Sequence, residues 1–522
     1  MKTRNRHVLI AGALMLSSVL FGACKRTISE GLQPLSAGKS AMLTLTPSAY
    51  KLNIIYFVPS DADTITRYRE RLNGILLQGQ QFYGKWMSYW GYGDRSFGLP
   101  FDSSGKVKIT VVRGAQGKSA YPYDGGGNVV IGELNTYFAN NPTAKNSEHT
   151  LVIMPASSYA ADGDPGGVPF YGLGRWCFAL DYAEMDTSYL GQNTTLGNRA
   201  TKWIGGLMHE LGHGLNLPHN HEKVSEAADA TKGTALMGSG NYTYGKNPTF
   251  LTAASAAILN NSQVFRTSSA TGIYGGGNTT INVIKADYSG GNINLKVKFS
   301  ATQSVNRVVV YNDPDGGSDY DAVAWVATPS GDSITLAMPI NELQKKTGLY
   351  AMRIRFLYTN GSSTEFSYPY NFVNNEPVLT FSSKDELNKS TWSIAYVDSQ
   401  ENDGQAVNLL DNDQNTVWHT QWKSVQPTHP HTVVVNMAGQ KSIAGLSFLH
   451  RSNLNGSLKD ITIYVSTDNS SWTSMGSYTL ANVNSKQYIT FSSTVNAQYI
   501  KVVTASNYLG TYYAVLAELG AF

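Results

Sequence analysis

Apolar positions along this chain follow two regimes. Between about residues 49 and 267, short apolar runs alternate with stretches of helical spacing. The runs are 52–58, 106–112 and 150–154, rich in β-branched side chains and short enough for buried strands. Residues 61–89, 131–138 and 251–260 carry apolar side chains at helical spacing, as does the run 200–208 that leads into His209. Strand and helix in this order predict an α/β domain with a central, mostly parallel sheet. A glycine-rich loop, 162–174, precedes the helix that contains His209.

Beyond about residue 268 the helical period fades. Residues 281–284, 293–299 and 307–311 read as strands, the second with clear period-two alternation, and turn residues separate them. They predict a small immunoglobulin-like β-sandwich over 268–375. No chemistry is visible in it, so a spacer role is expected. The block 376–522 is again β. A chain of 522 residues suits about three domains.

Net charge is +3, with Lys and Arg scattered, which gives no footprint for nucleic acid. The cysteines say more. There are 2, Cys24 and Cys177, so no intramolecular disulfide is expected and the domains must rely on core burial. Cys177 sits in an apolar run, 176–180, and reads as a buried small hydrophobe. At the N-terminus Lys2, Arg4 and Arg6 precede an apolar stretch, 8–23, followed directly by Cys24. That is a secretory signal rather than a comfortable membrane span. Its end, Phe21-Gly22-Ala23-Cys24, resembles a bacterial lipoprotein signal, with Phe21 in place of the usual Leu. The resemblance implies lipidation at Cys24 and a membrane-anchored protein of the bacterial cell envelope, periplasmic or on the outer-membrane surface. Residues 1–24 are then the signal and 25–48, polar and rich in small residues, a tether.

The chemistry is concentrated in residues 208–219, MHELGHGLNLPH. His209 and His213 are four apart on a helix, so both imidazoles lie on one face and can reach one zinc ion. Glu210 lies between them and is positioned as a general base. His219 follows six residues after His213 and makes a third ligand, leaving one coordination position open for catalysis. The helix must stop soon after His213. Asn216 is a plausible left-handed terminator, and Pro218 bars continuation.

This pattern resembles the metzincin metallopeptidases, with Asn216 where that family usually has Gly. The family's Met-turn is matched by Met237 in 234–240, TALMGSG. A Tyr follows two residues later in some metzincins, where this chain has Ser239, and Tyr242 and Tyr244 are close by. The resemblance implies a catalytic domain over 49–267, with the loop 162–174 bordering a substrate cleft. A second assignment of the third ligand uses Glu222, nine residues after His213, as in mucin-degrading, enhancin-like peptidases.

The last block, 376–522, carries another resemblance. Residues 410–422, LDNDQNTVWHTQW, residues 450–466 and the final strand at 517–519 resemble discoidin-like modules of the coagulation factor five/eight C-terminal type. In bacterial proteins such jelly rolls are most often family 32 carbohydrate-binding modules. The resemblance implies a calcium site at Asp411, Asp413, Thr416 and Glu518. Arg451 and Asn455 would be sugar-hydroxyl donors, and Tyr508, Tyr512 or Tyr513 a stacking face. Trp418 and Trp422 read as core. The expected protein is a multidomain, zinc-dependent endopeptidase, held to glycoprotein substrates by a module that binds glycans. The remaining alternative is a surface adhesin without activity.

Overall fold

The computed structural model describes residues 43–317 and 320–522. The signal, Cys24 and the tether as far as residue 42 lie outside the described residues. Among the described residues no helix is long and apolar enough to cross a membrane.

The first unit is built on a five-stranded sheet. Its strands are β1 (Asn53–Val58), β2 (Thr110–Arg113), β3 (Thr150–Pro155), β4 (Gly172–Leu173) and β5 (Trp176–Asp181), in the spatial order β2-β1-β3-β5-β4. All pairings are parallel except that of β4, an antiparallel edge. Every residue of β1 and β3 is buried, as expected for a parallel sheet covered by helices. The long helices are α1 (Tyr68–Tyr89), α2 (Gly126–Asn140) and α3 (Thr195–Gly214), and a shorter one, Ala253–Leu259, forms within the stretch expected over 251–260. The helical stretch expected over 61–89 begins only at Tyr68, and the strand expected over 106–112 only at Thr110. The last six residues assigned to the tether already pack on this unit. Thr46 bridges Arg95, and the Leu43 amide donates to the Gln81 side chain.

A buried ion pair ties the sheet to α1. Arg71 meets Asp181 at 2.5 Å, and the Tyr56 hydroxyl donates to the same carboxylate at 2.8 Å. Helix α3 starts with Thr194, whose side chain accepts from the Gly197 amide. It ends in a Schellman motif. The Leu217 amide donates to Gly212 O and the Asn216 amide to His213 O, with Asn216 at φ +72°. Asn tolerates this left-handed geometry better than any other residue with a Cβ.

The second unit is a β-sandwich. One sheet contains Thr279–Ser289, Asn292–Ala301 and Ser333–Pro339; the other contains Val305–Pro314, Val323–Ala327, Gly348–Tyr358, Ser363–Val373 and Glu376–Val378. It extends past the expected limit at 375, because Ser382 and Ser383 pair with Ala286 and Ile284. The spacer reading needs correction. Val309, Tyr311, Ala322, Ala324 and Leu357 of the sandwich belong to one continuous core with the α/β unit. The His221 amide also donates to Ala322 O at 2.7 Å. Burial of this kind fixes the sandwich rigidly against the α/β unit.

The third unit has its own core around Trp418, Phe448, Ile463 and Ile500. A six-stranded sheet built on the long strands His431–Leu449 and Gln487–Thr504 faces the pair Trp418–His419 and Val515–Leu516. Asn484 and Ser485 bond backbone carbonyls of Glu365 and Ser367, so this unit sits on the sandwich.

Candidate active site

Helix α3 lies against β5 and the edge strand β4. His209 and His213 stand one turn apart on it, and the Schellman turn brings the chain back so that His219 joins them. The ring nitrogens of the three converge: His213 Nε2 is 3.2 Å from His209 Nε2 and 3.1 Å from His219 Nε2. His209 Nδ1–H donates to Leu236 O at 2.7 Å and His213 Nδ1–H to Leu217 O at 2.9 Å. With Nδ1 carrying the proton, the Nε2 lone pairs of both rings face a common point. Burial, and then the nearness of His213, hold His209 and His219 down to about 4, so both are neutral at physiological pH.

Lone pairs gathered this closely repel one another unless a cation stands between them. Two ligands of a tetrahedral zinc at about 2.0–2.1 Å would be roughly 3.3 Å apart. The donor set therefore fits zinc, and each carbonyl partner fixes the tautomer and ring orientation that such a ligand needs. Met237 is buried beneath this point against Gly212 of α3, and the adjoining Leu236 carbonyl orients His209.

Glu210 faces the same cleft. Burial pushes its carboxyl up to about 8, opposed by a hydrogen bond from the Gly172 amide. Gly172, on β4, also crosses His213 so closely that a Cβ there would overlap the His213 Cβ and lie 3.1 Å from Cγ. Gly172→Ala should therefore tilt His213 or push β4 outward, weakening metal binding and activity together. Zinc titration and a cleavage assay on this variant check it, and unchanged zinc affinity would remove the steric argument.

Glu222 does not join the histidines. Its Oε2 accepts from the Ala235 amide at 2.9 Å, and its Oε1 is 3.6 Å from His221 Nδ1. It is an anchor for the segment leading to Met237, which corrects its assignment as a third ligand. Tyr244 is buried against Phe82, away from the cleft, and Tyr242 does not line the cleft either.

The cleft has a volume of about 770 Å³ and is lined with aromatic rings, among them Tyr123, Phe170, Tyr171 and Tyr274. One wall comes from the sandwich: Tyr320, Arg355 and the turn 361–363. Tyr320 stacks on His219 with ring centroids 3.8 Å apart and planes 23° from parallel. No motif or period marked these sandwich residues, because they reach the site only through domain packing.

In the third unit, Asp411, Thr416 and Glu518 come together. The Thr416 hydroxyl donates to Asp411 Oδ2 at 2.6 Å, and Asp411 adjoins Glu518. Burial pushes the Glu518 carboxyl up to about 7, with Lys389 opposing and Asp411 adding to the rise. The Lys389 ammonium bonds Glu518 Oε2, while Glu518 Oε1 is buried without a hydrogen-bond partner. Two adjoining carboxylates with an orphaned buried oxygen fit a calcium ion. The Asp413 carboxylate is engaged by Asn415, and only its carbonyl turns to Thr416. Calcium should raise the melting temperature of the protein, by about 2.7 kcal/mol of stability at a hundred times its dissociation constant. Glu518→Gln should abolish the rise. A melt indifferent to both calcium and chelator would remove the site.

At a loop cluster of this unit Tyr513 stacks on His419, with centroids 5.1 Å apart, and its hydroxyl reaches Asn455 Oδ1 at 3.3 Å. Tyr512 packs edge-on to Tyr513, and Arg451 is near enough to act electrostatically on His419. Tyr508 is outside this cluster, bonded to Leu480 O. Nothing in the sequence marks His419 out, because its neighbour Trp418, fully buried, reads as core. Trp422 is exposed beside His419, which corrects its assignment to the core.

Residues 390–519 match the F5/8 type C domain family. Over 141 residues the chain is 34% identical to a sialidase of Micromonospora viridifaciens, covering 26% of this chain and 21% of that protein. Over 140 residues it is 26% identical to a galactose oxidase of Gibberella zeae, covering 26% and 20% respectively. The chain spans about a fifth of the length of these curated relatives. Among solved structures, wild-type OgpA from Akkermansia muciniphila is 38% identical with a TM-score of 0.62, covering 65% of this chain and 98% of that one. A catalytically inactive OgpA, solved in complex with an O-glycopeptide (glycodrosocin) substrate, is 37% identical with a TM-score of 0.63 and covers 67% and 100%.

Proposed function

The chain belongs to the family of OgpA, and from that premise we propose that it is a zinc-dependent peptidase acting on O-glycosylated proteins. The observation that carries the chemistry is the convergence of His209, His213 and His219 beside Glu210 in one cleft. The left-handed Asn216, the returning His219 and Met237 beneath the helix support a metzincin-type arrangement. For the substrate, OgpA was captured with an O-glycopeptide. That favours the glycoprotein-directed part of the enhancin-like alternative, without its Glu222 ligand.

His209, His213 and His219 would hold the zinc, which when bound supplies Lewis acidity for the carbonyl and acidifies the attacking water towards a pKa of about 7. Glu210 accepts the water proton on its carboxylate and returns it to the leaving amine nitrogen. The Gly172 amide keeps that carboxylate in place. The aromatic walls, from both the α/β unit and the sandwich, exclude water and offer faces for peptide and sugar rings. The F5/8-type unit, with Arg451, Asn455, Tyr512, Tyr513 and His419, would bind glycans weakly and raise the local concentration of substrate. The N-terminal signal and Cys24 would anchor the enzyme in the cell envelope.

Cleavage of an O-glycopeptide, compared with the same peptide stripped of its glycan, tests the reading. The glycosylated form should be cut at least about tenfold faster, and a chelator should stop the reaction until zinc is restored. Equal cleavage of both peptides would exclude glycan recognition in the cleft.

A further inference from the structure

The polar end of the cleft has no part in the chemistry above. There the α/β unit presents Arg175, on the turn after β4, and the sandwich presents Arg355 and Ser363. Arg355 meets Glu365 at 2.6 Å. Arg175 is different. It is half-buried, and its guanidinium lies over the Tyr274 ring, 4.4 Å from the centroid. Among the described residues no carboxylate stands within ion-pair distance of it.

The ring beneath it and its own backbone are fixed. The Tyr274 hydroxyl donates to His149 Nε2 at 2.5 Å and accepts from the Gln263 amide at 2.9 Å. His149 is fully buried, and its Nδ1–H donates to Gly214 O at the end of α3. The Arg175 carbonyl accepts from the Thr150 amide of β3 at 3.0 Å. A half-buried guanidinium thus lies over an anchored ring, partly stripped of water and without a counter-charge, in the lining of the cleft. Burying a cation without a partner is unfavourable. The complement of a fixed guanidinium plane is an oxyanion that accepts two of its N–H groups.

We propose that this end of the cleft is a subsite for an anionic oxygen group of the substrate, a carboxylate or a sulfate ester, held by Arg175 with Ser363 alongside. The proposal rests on the peptidase reading above. Such a group has two sources: an acidic or sulfated sugar on the glycan, or an Asp or Glu side chain of the peptide.

The test uses one glycopeptide sequence in four forms. One carries a neutral glycan, one the same glycan ended by a carboxylate sugar, one a sulfated glycan, and one the neutral glycan with an added Asp. At least one anionic form should exceed the neutral form by about tenfold in kcat/KM, through KM, with the advantage shrinking as salt rises. The favoured form identifies the source. Arg175→Gln should erase the ratio, Arg175→Glu should reverse it, and Arg175→Lys, which keeps the charge over Tyr274, should retain part of it and guards against misfolding. Calorimetric binding of the same four to Glu210→Gln protein gives the ratio without any turnover. If nothing is cleaved, the peptidase reading fails while binding still decides the subsite. Equal binding of all four forms, or an Arg175→Gln variant weakened equally towards all, overturns it.

Discussion

Glu210→Gln is expected to keep zinc and fold while lowering peptide-bond cleavage by about 10²- to 10⁴-fold. Gln is nearly isosteric with Glu and can still face the Gly172 amide, so the cleft should hold its shape. What it lacks is a basic oxygen to accept the water proton. Burial pushes the Glu210 carboxyl up to about 8. A bound cation nearby favours the carboxylate, so the acidic limb of the pH profile, where activity rises as Glu210 loses its proton, should lie below that value. Zinc content, circular dichroism and a cleavage assay on the purified variant check the prediction. Activity within tenfold of the parent would mean that another group is the base.

His219→Ala and Glu222→Ala should fail in opposite ways. Removing His219 leaves two of three converging imidazoles, and zinc affinity should fall by more than the roughly 10- to 100-fold typical of losing only an outer-shell partner of a ligand. Activity should fall with it. Glu222 holds the Ala235 amide from a buried position. Its removal leaves that amide unsatisfied, at a cost of about 1–3 kcal/mol in stability. The Glu222→Ala protein should melt earlier but bind zinc as before. Zinc titration and thermal melts of the two variants decide the matter, and the reverse ranking would make Glu222 the ligand.

Much of the site could be read locally. The spacing of His209, Glu210 and His213 has meaning only on a helix, and Thr195–Gly214 is helical. Asn216 and Pro218 marked the helix end, and the chain turns there through a left-handed Asn216. Alternating strands and helices implied a parallel sheet, and four parallel strands are present. The Asp411-to-Trp422 segment resembled a discoidin-type module, and residues 390–519 match the F5/8 type C domain. Element ends were read less well. The helix over 61–89 lost its first turns, because residues 61–67 are held by tertiary contacts such as that from Ile65 to Tyr56 rather than by helical bonds.

The sequence by itself determined that His209, His213 and His219 converge with Glu210 beside them, and the order of the units. Each depends on side chains a few residues apart, whose relative placement is set by local backbone geometry. Only the tertiary structure decided what surrounds them. Tyr320 and Arg355 are more than a hundred residues from His209, on strands and turns with no catalytic pattern, and burial of Val309, Tyr311 and Leu357 against the α/β core carries them to the cleft. The same holds for Arg175. Nothing in its neighbours distinguishes it from a surface cation until Tyr274, folded back from the junction between units, closes over it. Contacts between distant segments are set by the packing of whole faces, and that packing leaves no periodic trace in the residues that benefit from it.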